Sequence, residues 1–219
     1  MRILVALLAL LAALLAAPQG RALSPEEARH LLARSGFGAA PSEIEELAPL
    51  AREQAVDLLL SRMRRAPVLP RPAFLDAPWP PYRDMHARMS QGERDAFIQA
   101  RRAELQQLKA WWYAEMISTP SPLTERMALF WHNHFVSAFE GVGQNVHRMW
   151  DQNALFRAEA GGSFARLLQA SLSDPVLLRY LDAHRNVKGR PNENLARELL
   201  ELFTLGEGHY VEADIREIA

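Results

Sequence analysis

Cysteine is absent from the 219 residues. That excludes disulfides, thiolate zinc sites, a lipid-modified N-terminal cysteine and a cysteine nucleophile together. Lysine is nearly absent as well: Lys109 and Lys188 stand alone, and arginine carries the rest of the positive charge. With 25 basic and 26 acidic residues there is no surplus of one sign, and nothing suggests a nucleic-acid partner. Also missing are HExxH, Gly-x-Ser-x-Gly, a phosphate loop and GxGxxG. No alternating strand pattern and no Asn-Gly hairpin occurs. No residue set therefore fixes a reaction.

The only long apolar run is Ile3 to Ala17, 15 residues behind one arginine, Arg2. It is short for a membrane span, and its place predicts a secretory signal peptide over 1–22, with no membrane segment beyond it and an exported, periplasmic or secreted product. Residues 1–22 carry Arg2 and Arg21 and no acid, so the remainder has 23 basic against 26 acidic residues, a net charge of about −3. Without cross-links such a protein must be held by its core, for which a 49% hydrophobic content over roughly 200 residues suffices.

Helix start and stop signals recur from end to end, which predicts an all-α, multi-helix domain. Ser24-Pro25-Glu26-Glu27 opens a first helix that ends near Gly36. Pro41-Ser42 with Glu45 opens a second by capping-box logic, and a third runs from about Leu50 to Arg64, giving N-terminal helices over 23–65. Residues 66–82 hold six of the fourteen prolines, together with Phe74, Trp79 and Tyr82. Linkers seldom spend aromatics, so 66–89 is expected to be an ordered strap. The main helical region, 90–219, opens with Ser90 and Glu93 on a long helix broken at the Thr-Pro-Ser-Pro of 119–122. Further helices are expected at 143–159, 163–172, 175–183 and 192–206. A last one begins near Val211 and stops at Ala219 in mid-periodicity, which predicts that the natural chain continues.

Two stretches could carry chemistry. In "LFWHNHF", 129–135, His132 and His134 lie about 200° apart if the helix continues, so they cannot share a metal. A wheel places His134 with Leu123, Met127 and Phe130 on the most apolar face, as expected of a core histidine with one satisfied hydrogen bond, and His132 nearly opposite. A divalent metal using either histidine, or a general base, are the alternatives. In "NENLARELLELFTLG", 192–206, Leu195, Ala196, Leu199, Leu200, Leu202 and Phe203 form an apolar arc, and Glu193, Arg197 and Glu201 a solvated i, i+4 ladder. Asn192 suits an N-cap and Gly206 a C-terminal turn. Asn194 and Glu198 remain at the edge of the arc, where a hydrogen-bond network or a ligand site could form.

Taken together, "HLLARSGFG" (30–38), "WWYAEMISTPSPLTERMALFWHNHF" (111–135), "DPVLLRYLDAHRNVKGRPNENLARELLELFTLGEGHY" (174–210) and "EADIREIA" (212–219) resemble the bacterial family known as domain of unknown function 1800. The resemblance implies an exported, mostly helical protein, commonly about twice this length, of unestablished function. It also implies a companion from another exported family with a sulfatase-like look. Family members usually carry Thr where this chain has Val211, and no catalytic residue comes with the resemblance. Two functions are weighed: a helical envelope scaffold or binding protein acting with an exported partner, and a periplasmic metal-assisted hydrolase. The hydrolase would draw metal ligands from His132, His134 and Glu198 and catalytic groups from His134, Glu198, Glu201 and Asn194, with Glu193 as a further acid and Asn133 and Asn192 orienting them.

Overall fold

A computed structural model describes residues 20–79 and 89–219. The chain divides into two compact units, one reaching Arg62 and one beginning at Met63. Among the described residues every regular element is helical, and β pairing is limited to the isolated bridges Ala22–Ala51 and Val187–Arg190. The all-α expectation holds. Residues 1–19 of the expected signal peptide, and 80–88 of the expected strap, lie outside the described residues.

The first unit contains α1 (Pro25–Ser35), α2 (Pro41–Leu47) and α3 (Arg52–Ser61). Ser24 caps α1 as its sequence predicts: its Oγ accepts from Glu27 N–H while the Glu27 carboxylate accepts from Ser24 N–H. At α2 the expected cap and its partner are each off by two positions. Glu43, not Glu45, accepts from the Ala40 N–H, because the helix already begins at Pro41 and position N3 is therefore 43. Leu23, Ala28, Leu32, Leu47 and Ala55 form this unit's core.

The second unit opens with a proline-rich stretch that its polar anchors hold to a helix. α4 (Gln91–Ser118) carries Glu115, whose two carboxylate oxygens accept from Val68 N–H and Leu69 N–H, each at 2.9 Å. Trp111 Nε1 donates to the Pro70 carbonyl at 2.8 Å. Two backbone N–H groups meet one carboxylate here, so a proline-rich segment that cannot join a ladder still has its donors satisfied. Phe74 and Trp79 then pack against Leu105, Leu108, Trp111, Val146 and Trp150.

After the break at 119–121 come α5 (Pro122–His134), α6 (Val146–Ala158), α7 (Phe164–Ser171) and α8 (Pro175–Tyr180). Ala128, Phe135, Phe156, Leu167, Leu177, Leu181 and Phe203 make the main core. α9 (Asn194–Glu198) runs without a break into a π-helical stretch, Leu199–Thr204, and α10 (Glu212–Ile218) follows. A single α-helix over 192–206 is therefore not what forms. Leu205 N–H and Gly206 N–H both donate to the Leu200 carbonyl, and the wider turn re-registers every side chain after Glu198. Gly206 does take the left-handed conformation its position predicts, with φ of 86°.

Candidate functional site

The π-helical turn decides which side chains reach the surface. Leu200 and Phe203 go into the core, while Leu202, expected on the buried arc, is 61% exposed. Beside it the end of α5 brings in His134, whose Nε2 lies 3.1 Å from the Phe203 carbonyl. A carbonyl only accepts, so this nitrogen donates the hydrogen bond. The bond also satisfies a carbonyl that the helix end leaves without an intrahelical donor.

Around this contact lies a cleft of about 760 Å3 lined by Asn133, His134, Val136, Tyr180, Leu181, Asn194, Glu198, Leu202 and Phe203. Three sequence candidates, His134, Asn194 and Glu198, thus open onto one space. Glu201 does not: its carboxylate accepts from the Tyr210 hydroxyl at 2.6 Å, a bond that also holds the phenol in its protonated form. Arg197 grips Glu212 through two nitrogens at 2.8 and 3.0 Å and reaches Glu193 at 3.7 Å. The expected solvated ladder is instead a docking face for the segment that ends in α10.

His132 points away from the cleft. It sits between the rings of Trp112 and Phe156, with centroids 5.0 and 4.7 Å away, and Asn153 Nδ2 is 3.3 Å from its Nε2. Burial, and then the nearby Arg157 charge, push its pKa down to about 4, so it is a neutral core histidine at ordinary pH. The faces of α5 are therefore the reverse of the apolar-wheel expectation. Thr124, Glu125, Ala128 and Phe135 are the buried residues of this stretch, while Phe130 is 53% exposed. The physical reason is pairing: Glu125 can face inward because Arg157 and Trp112 Nε1 satisfy its carboxylate.

That buried polar network is what sequence reasoning missed. Ser137 Oγ donates to Gln152 Oε1, and Gln152 Nε2 donates to Asp174, which caps α8 through Val176 N–H and Leu177 N–H. Desolvation raises the Asp174 pKa. A partial signal was present, since Gln152, Asn153, Phe156 and Arg157 fall at helical spacing on the buried face of α6, but their partners lie 15 to 32 residues away. Among the described residues no three His, Asp or Glu side chains come together as a metal cage. No helix among them is long and apolar enough to cross a membrane.

Residues 30–219 match the family described as "Protein of unknown function (DUF1800)". The match spans well over half of the sequence, and the chain belongs to this family. No curated protein and no solved structure matches it.

Proposed function

We propose that this DUF1800 protein is an exported helical binding protein, periplasmic or secreted, that uses the His134–Glu198 cleft to dock another exported protein. The partner is the sulfatase-like companion that the family resemblance implies. One observation carries the reading. Large apolar side chains stand in water around the cleft, with Leu202 61%, Phe130 53% and Val136 50% exposed. Phe130 and Phe164 flank His134 at ring-centroid distances of 6.3 Å each. Clustered apolar side chains at one opening mark interaction surfaces more than isolated ones do, because covering them contributes about 25 cal/mol per Å2.

The test mixes the two mature proteins and follows association by calorimetry. Leu202→Glu and Val136→Glu are expected to weaken the complex about tenfold or more while leaving the helical circular dichroism intact. No association of the wild-type pair at about 50 µM would overturn the reading.

A second reading, a metal-assisted hydrolase, is favoured by one fact: His134, Asn194 and Glu198 share the cleft. His134 Nδ1 and the Glu198 carboxylate would be its ligand or base, and Asn133 and Asn194 would orient them; His132, turned into the core, drops out. Elemental analysis of the natural protein decides this: one metal per chain, lost in His134→Ala, would favour the hydrolase over docking.

A further inference from the structure

We propose that the cleft receives a basic side chain of the partner, an arginine, with Glu198 as its counter-ion. This rests on the docking reading above and specifies its chemistry. The three acids of the 193–201 stretch differ in their engagement. Glu193 reaches Arg197, and Glu201 accepts from Tyr210. Among the described residues Glu198 accepts no hydrogen bond and meets no cation, although it is half-buried and lines the cleft. None of the nine lining residues is Lys or Arg, so no permanent cation faces the Glu198 carboxylate from the cleft wall. A half-buried carboxylate beside apolar walls gains most from an incoming cation, because partial desolvation strengthens the attraction.

The remaining walls select the shape of that cation. Asn133 and Asn194 bring amide carbonyls, Tyr180 and Phe203 bring aromatic rings, and Leu181 and Leu202 bring aliphatic surface. A guanidinium offers five donors in a plane and stacks on aromatic faces, and its three-carbon stem covers apolar surface. An anionic ligand would meet the Glu198 charge without a compensating lysine or arginine. A purely apolar side chain would leave Glu198 desolvated and unpaired, a cost that selects against it.

The experiment titrates the full chain with N-acetyl-arginine methylamide, and separately with the norleucine and glutamate analogues, watching the methyl resonances of Leu181 and Leu202. The arginine probe is expected to shift both methyls saturably and to bind at least about tenfold more tightly than either analogue. Glu198→Gln, whose folding is checked by thermal unfolding, is expected to remove that advantage. Equal binding of the norleucine probe, preference for the glutamate probe, or an unchanged arginine affinity in Glu198→Gln would each overturn the proposal. The two readings fail separately. If Leu202→Glu breaks the companion complex while Glu198→Gln and excess arginine probe leave it intact, docking stands and the basic-side-chain proposal falls. If Leu202→Glu has no effect on the complex, docking itself falls.

Discussion

Arg157 closes Nε and Nη2 onto the two carboxylate oxygens of Glu125, at 2.6 and 2.9 Å, and each side chain is only 1% exposed. Trp112 Nε1 adds a third donor to the same carboxylate at 2.7 Å, and the Arg157 guanidinium stands 5.4 Å from the Trp111 ring. The pair links α5 to α6 across the interior. Being buried, it holds the two helices in one alignment more than it adds net stability.

Removing one partner should therefore be far worse than removing both. Glu125→Gln or Arg157→Met alone is expected to cost about 3–5 kcal/mol by urea unfolding, because the survivor is a buried uncompensated charge. The double variant Glu125→Leu/Arg157→Met should recover most of that loss, with Trp112 Nε1 left lacking an acceptor. Additive losses in the double variant would show that the pair is not coupled.

Acid should weaken the fold through His132. Its folded pKa of about 4 lies below the ordinary 6.5, so the unfolded chain binds the extra proton first. The stability is intact above about 6.5 and is lost progressively as pH falls toward 4, by up to about 3 kcal/mol. Asp174 acts in the opposite sense: its raised pKa favours folding as the carboxyl protonates. Comparing the pH dependence of unfolding with that of His132→Gln isolates the histidine; identical slopes between pH 6.5 and 4 would refute the assignment.

Gly141 and Gly161 should respond differently to alanine. A Cβ on Gly141 would lie 2.7 Å from Tyr180 Cδ2, a ring held in the wall of the cleft. A Cβ on Gly161 meets Met63 Sδ at 2.8 Å, but a methionine end can swing aside. Gly141→Ala is expected to cost about 1–3 kcal/mol and to disturb the cleft methyl resonances, with Gly161→Ala costing clearly less. Thermal unfolding of the two variants checks the order.

The segment after Gly206 is held by the Arg197–Glu212 fork and the Tyr210–Glu201 bond, with Ile215 buried against Ala196 and Leu200. Tyr210→Phe combined with Arg197→Gln should raise amide exchange in 212–218 while leaving α5 and α6 protected. Uniform loss of protection across the second unit would mean that this segment is part of the global unfolding unit instead.

Most of the secondary structure was legible because its determinants are local. Ser24 with Glu27, Ser90 with Glu93, and Asp174 before Pro175 cap helices within three residues of themselves. The candidate site was half legible. Asn194 and Glu198 stand out as polar residues on the edge of an apolar arc, and His134 as an imidazole near the end of a helix. Tyr180, Leu181 and Val136 carry no such mark, and the π-helical turn that exposes Leu202 left no recognised signal.

The sequence by itself determined an all-α chain without cross-links, the places where most helices start and stop, and the family. Those follow from capping, periodicity and composition, which act over a few residues. Only the tertiary structure decided which face of α5 is buried, that His132 and His134 part company, and that Glu201 is engaged while Glu198 accepts no hydrogen bond among the described residues. Each of those depends on a partner 9 to 69 residues away, such as Tyr210 for Glu201, Arg157 for Glu125 and the Phe203 carbonyl for His134. A buried charge looks like a surface charge until its counter-charge is placed beside it.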